Sequence, residues 1–123
     1  MTNPNPLPDP LADDVPYTIE RADERRAVVR FAEICDHERT DERRRALNEL
    51  IATVDQVVCD LTNTRTIVSG WIRLLEQLSV DAERMGKRFI VAGMSEIVKK
   101  SADIIGVGER LTIVTTVEQG WAD

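Results

Sequence analysis

The stretch QVVCDL at residues 56–61 is a continuous apolar run rather than an alternating one. A strand with one face in water alternates apolar and polar side chains, whereas a strand without alternation needs cover on both faces. Helices usually supply that cover, so this short run predicts a buried central strand in an α/β fold. Helical patterns flank it. In TDERRRALNELIATV, Leu47, Leu50, Ile51 and Val54 recur at helical spacing, with Asp41 and Glu42 in the first turn, where the helix dipole favours acid. After RTIVSG, Trp71, Leu74, Leu75, Leu78, Ala82 and Met85 recur at the same period, and Gly86 is placed to end the helix in the left-handed conformation.

The remaining runs complete the pattern. YTIER and AVVRFAEIC are β-rich and separated by the polar ADER, which predicts a hairpin. KRFIVAG reads as a strand, and SEIVKKSADIIG as a helix with Ser95 as cap and Ile97, Val98, Ala102, Ile104 and Ile105 as its apolar positions. RLTIVTT supplies a final strand and VEQGWAD a last helical turn. The order is ββαβαβαβα: a mixed, mostly parallel sheet of about five strands with helices packed against it. Residues 1–16 hold all five prolines and three aspartates, a composition that forms neither strand nor helix. They are expected to be a flexible leader, with one domain over 17–123.

Composition excludes several function classes. No apolar run approaches the roughly 20 residues of a membrane-spanning helix, and the N-terminus lacks the order of a secretory signal. A net charge of −6 argues against nucleic acid as a partner, because phosphate binding needs a basic face. The basic clusters ERRAVVR and ERRRALNEL are interleaved with acid and read as solvated surface. Cys35 and Cys59 stand singly in apolar surroundings, as buried inert thiols in a reducing cytoplasm would. With His37 the only histidine, no His/Cys metal site is expected, and no cofactor is implied.

The usual α/β chemistries find little support. GVGERL at 106–111 is a fragment of a glycine-rich phosphate loop, but it lies between a helix and a strand, and reads as a helix stop plus a turn. MGKRF has Gly-Lys but enters a strand, so no nucleotide-hydrolysing loop is present. Asp60, with Asp36 and Glu38, imitates the acidic residues of a phospho-accepting receiver, yet no lysine follows LTIVTT. Asp60 reads instead as a strand-end residue bonding to the amides of the next loop. Ser69 would need a base to act as a nucleophile, and His37 reads as a polar-loop residue. No catalytic residue is assigned, and Ser69 is expected to be chiefly a helix cap.

From VVCDL through the loop to Gly70, the long helix to Gly86-Lys87-Arg88, FIVAG, the Ser95 helix and IIGVGERLTIVTTVEQGWA, the chain resembles the STAS domain. This is the module shared by sulfate transporters and bacterial anti-sigma factor antagonists. AVVRFAEICD is similar to the family's second strand and its exit, with Asp36 kept and Glu33 in place of a glycine. The resemblance implies a non-enzymatic regulatory module whose loop before the long helix reads Asp-Ser-Ser-Gly, the first serine being phosphorylated by a partner kinase. Here that loop is Ile67, Val68, Ser69, Gly70, so the phosphoserine position is Val68 and the usual switch has no hydroxyl to act on. GMSEIVKK keeps Gly-x-Ser but lacks the proline that often follows.

The resemblance thus implies a protein partner, either an anti-sigma kinase or other STAS proteins, bound through Thr64, Thr66, Ser69, Trp71 and Arg73. Trp71 lies in the apolar stripe of its helix and also in the first turn beside the loop, so core burial and partner anchoring both remain open. Val80, opposite that stripe, is a candidate for exposure. The alternatives are a small-ligand or nucleotide binder using strand ends near Asp36, Asp60 and Gly93, and a homo-oligomeric or multi-STAS scaffold.

Overall fold

The computed structural model describes residues 16–35 and 40–121. The proposed leader up to residue 15, together with Asp36, His37 and Glu38, lies outside the described residues. The element order is β1 (Tyr17–Arg21), β2 (Arg26–Phe31), β3 (Ile34–Cys35), α1 (Thr40–Ala52), β4 (Gln56–Asp60), β5 (Thr66–Ile67) and α2 (Ser69–Arg84). It continues with β6 (Arg88–Ala92), α3 (Glu96–Ile104), a 3₁₀ turn at Gly108–Arg110, β7 (Ile113–Val114) and α4 (Val117–Trp121). Five strands form one sheet in the order β1-β2-β4-β6-β7, with only β1 antiparallel to its neighbour.

The hairpin closes where the polar ADER predicts. The Asp23 carboxylate accepts the Arg25 and Arg26 N–H groups at 2.8 and 2.9 Å, which stands in for backbone pairing in the turn. β4 is central, and its Val57, Val58 and Cys59 are buried. Val57 and Cys59 face the main core, with Leu47 and Ile51 of α1 and Leu74, Leu75 and Leu78 of α2. Val58 faces the other side, where Ile90 and Ala92 are joined by Val117 and Trp121 of α4. The two-sided cover inferred from QVVCDL is therefore present, with a short helix on the second face. Cys35 and Cys59 are both buried thiols outside any disulfide. Burial, with a smaller contribution from neighbouring Asp60, pushes the Cys59 thiol far above its usual range, so it stays protonated and inert.

Three boundaries differ from expectation. The β-rich run to Cys35 is not one strand: the main sheet ends at Phe31, and Ile34–Cys35 pair in parallel with Thr66–Ile67 as a separate two-stranded sheet. The final strand contracts to Ile113–Val114, because Gly108–Arg110 winds into a 3₁₀ turn after Gly106 ends α3 at φ 83. On α3, Val98 and Ala102 are buried, but Ile97 and Ile104 face outward with 74% and 78% of their surface exposed. The helix is too short, and too far to one side of the sheet, to bury five apolar positions.

α1 and α2 are joined by a polar clamp. Asp81 accepts hydrogen bonds from Arg44 Nε and Nη2 at 2.8 and 2.9 Å and from Asn48 Nδ2 at 2.8 Å. The Arg44 guanidinium, helped by Asn48, holds the Asp81 carboxyl below the usual carboxylate range. A depressed folded pKa contributes stability above the unfolded pKa of about 3.9, and that stability is lost as pH falls through the folded value. Asp81→Asn is therefore expected to lower stability by about 1–3 kcal/mol at neutral pH. The gap to the unmodified chain narrows below about pH 4. Urea denaturation of both proteins at pH 7 and pH 3 measures this.

Candidate functional site

The corner at residues 64–73 is built by straps from the segment after β2. Pro16 is buried and its carbonyl accepts the Ala32 N–H at 2.8 Å, while the Ala32 carbonyl accepts the Thr64 hydroxyl at 2.9 Å. The Glu33 carbonyl accepts the N–H groups of Arg65 and Thr66, and the Cys35 carbonyl accepts that of Val68 at 3.0 Å. Arg65 also reaches the Glu33 carboxylate at 2.9 Å, an exposed pair that adds little stability.

This ladder decides how α2 begins. Val68 is held extended (φ −79, ψ 158) by its bond to Cys35, and the first helical residue is Ser69. Val68 is thus the N-cap, with no side-chain hydrogen bond, and its carbonyl accepts the Trp71 and Ile72 N–H groups. The expectation that Ser69 caps the helix is corrected. The strap carries the extended backbone one residue further than the sequence suggests, so Ser69 becomes an exposed first-turn residue beside exposed Gly70.

Of the residues expected to meet a partner, Thr66, Ser69 and Arg73 are exposed. Thr64 and Trp71 leave that surface. Thr64 is buried by its bond to Ala32, and Trp71 is fully buried, edge-on to Tyr17 at 6.1 Å and to Phe31 at 5.7 Å. The two readings of Trp71 therefore resolve to core: the hairpin supplies two aromatic rings that no inspection of the helix alone would place there. Ile67 and Val68 are half-buried, and Val80 is exposed. Beside the corner, Ile67, Ser69 and Ile72 meet Ser101, Ile104 and Ile105 of the α3 region around a mostly apolar cavity of about 240 Å³. Sequence reasoning missed the α3 side, because an amphipathic pattern does not reveal which apolar residues the sheet fails to reach.

The strand ends near Asp60 and Gly93 are occupied by structural contacts. Asp60 accepts the Thr62 N–H at 3.0 Å and the Thr62 hydroxyl, and its second oxygen accepts Arg30 Nη1 at 2.6 Å. The prediction that Asp60 bonds the next loop holds. Gly93 has φ 73, and a Cβ there would meet the Thr62 backbone at 2.9–3.0 Å, so the loop after β4 packs directly on it. Among the described residues, no group of three or more His, Cys, Asp or Glu side chains is placed to hold a metal ion, and no helix is long and apolar enough to cross a membrane.

Known proteins match this architecture. The family model for the STAS domain matches residues 17–120. No curated protein matches the sequence. Among solved structures, the anti-sigma factor antagonist SpoIIAA in its unphosphorylated form superposes with TM-score 0.70 at 19% identity, covering 84% of this chain and 91% of that one. An RsbS variant from Moorella thermoacetica gives 0.69 at 19% identity over 85% and 90%. A chain from the stressosome, described as a signal integration and transduction hub, gives 0.69 at 21% over 84% and 91%. At these identities the likeness is one of fold.

Gly93→Ala is expected to destabilise the protein by more than Gly86→Ala. Both have positive φ, which costs a side chain about 1 kcal/mol, but Gly86 has open space around a Cβ while Gly93 does not. Parallel chemical denaturation of the two variants checks the order.

Proposed function

Because the chain belongs to the STAS domain family, we propose that it is a non-enzymatic regulatory module that binds a protein partner through the corner at residues 64–73 and the adjoining α3 edge. The observation that carries this reading is the apolar cavity between Ile67, Ile72, Ile104 and Ile105, opening beside the exposed Ser69–Gly70 turn. Ile104, with Ile97 two turns before it, leaves a large apolar surface in water next to a rigidly strapped loop, which is the arrangement an interface uses. Thr66, Ser69 and Arg73 form its polar border.

The module is constitutive at the usual loop position. A phosphate adds up to about two negative charges at a helix N-terminus and blocks docking by repulsion and desolvation. Val68, the N-cap of α2, offers no hydroxyl and keeps its N–H on Cys35. The partner in this reading is an anti-sigma kinase or another STAS protein, encountered in the cytoplasm. A second reading, a subunit of a multi-STAS assembly, draws on the exposed Ile97–Ile104 stripe and the fold shared with the stressosome chain. The small-ligand alternative at the strand ends loses support, because Asp60 and Gly93 are engaged with Thr62 and Arg30.

The test is quantitative crosslinking in extracts of the native host with the unmodified chain, Ile104→Asp and Ser69→Glu. Both variants are expected to keep the folded circular dichroism spectrum and to lower recovery of a specific partner by about tenfold or more, equivalent to about 1.4 kcal/mol. Equal recovery by all three proteins would reject this surface. Light scattering of the purified chain separates the readings: a monomer fits the partner-binding module, and a concentration-dependent oligomer abolished by Ile104→Asp fits the assembly.

A further inference from the structure

A second cavity, of about 390 Å³, lies at the end of α2 remote from the corner, between the second half of that helix and the start of β6. Its size is in the range of small-molecule sites, about 300–1,000 Å³. Three basic residues line it, Lys87, Arg88 and Arg110, against one acidic residue, Glu83, and Arg88, alternating with Phe89, shares the sheet face of Ile90. Lys87 and Arg110 reach Asp55 at 3.8 Å and Glu76 at 2.8 Å, carboxylates outside the cavity lining that tether the two cations without filling it. Ser79 and Thr112 add hydroxyls. In a chain of net charge −6, this concentration of cations around one hollow is unusual.

The sheet contributes as well. The Arg88 N–H points to β4, where it meets the Asp55 carbonyl, while the N–H groups of Val91 and Gly93 point to the opposite side and meet Thr112 and Val114. By that two-residue alternation the Phe89 N–H faces the β7 side too. β7 pairs with β6 only from Val91 onward. The Phe89 backbone therefore faces the cavity that Phe89 lines, ahead of the first residue of β7.

We infer that this cavity binds a small anion carrying a carboxylate or phosphate group, held by Lys87 and Arg110 with the Phe89 N–H as an additional donor. The nearby end of α2 is its negative end, so the helix dipole opposes an anion here and the side chains must supply the attraction. Binding is accordingly expected to depend steeply on the cations and to be weakened by Glu83. The inference is independent of the partner-binding corner, which lies at the other end of α2.

Amide NMR titration of the full chain with inorganic phosphate and with citrate, against potassium chloride at matched ionic strength, tests it. Saturable shifts centred on Phe89 and Thr112 are expected with at least one of the two anions and not with chloride. Saturation by phosphate alone or citrate alone identifies the group bound. The double variant Lys87→Gln/Arg110→Gln should weaken binding by about tenfold or more, and Glu83→Gln should tighten it severalfold. Dispersed amide spectra of these exposed or half-buried variants confirm that they fold. Shifts that never saturate, that chloride reproduces, or that Glu83→Gln leaves unchanged in strength would overturn the inference.

Discussion

The packing of Trp71 against Tyr17 and Phe31 is the contact on which the geometry of the corner depends. It joins the first turn of α2 to the two strands of the hairpin, elements far apart in the chain. Edge-on aromatic contacts contribute about 0.5–1.5 kcal/mol beyond burial, and here they set position as well as stability. With the start of α2 anchored from below, the Cys35 carbonyl can hold Val68 extended, and the helix can begin one residue later. The exposed Ser69–Gly70 turn is thus presented by a rigid base rather than by a mobile loop.

That arrangement explains which parts of the fold were legible in the sequence. The continuous apolar run around Val57–Cys59 and the helical periodicity from Trp71 to Ala82 encode local burial, and local burial is what periodicity reports. The β3–β5 ladder involves two residues on each side and leaves no periodic trace, so the break after Phe31 could not be read from AVVRFAEIC. The exposure of Ile97 and Ile104 was equally hidden. Their spacing is that of a buried face, but the short β7 and the narrow contact of α3 with α2 leave that face without a cover. The cap at Val68 shows the same limit: Ser69 has the better capping chemistry, and a bond from Cys35, more than thirty residues upstream, overrides it.

The candidate site was legible only in part for a related reason. The loop positions Ile67, Val68, Ser69 and Gly70 could be picked out by resemblance, and the structure puts all four at one corner. Which side chains face outward there is a tertiary property. Thr64 turns inward to satisfy the Ala32 carbonyl and Trp71 to fill the space between the hairpin and the helices, while Ile104 arrives from a separate element to complete the apolar surface. The cavity beside β6 had no sequence signature, because it exists only where a two-residue strand stops short of its five-residue neighbour.

α2 carries both surfaces, and their separation follows from its length. Ser69 and Glu83 are fourteen residues apart, about 21 Å along the axis, so an occupant at one end does not touch an occupant at the other. Between them the Glu76 carboxylate accepts Arg110 Nη1 at 2.8 Å, bridging α2 to the 3₁₀ turn that precedes β7. Glu76 is largely shielded while Arg110 is mostly in solvent, and an exposed partner limits such a pair to at most about 1 kcal/mol. Its consequence is therefore geometric: it keeps the Arg110 guanidinium at the rim of the second cavity, on the same flank of α2 as Ser69 and Ile72. An anion that drew Arg110 away from Glu76 would exchange one carboxylate partner for another group of like charge. The net electrostatic change is small, so the two ends of the helix are expected to act as separate sites on one rigid element rather than as a coupled switch.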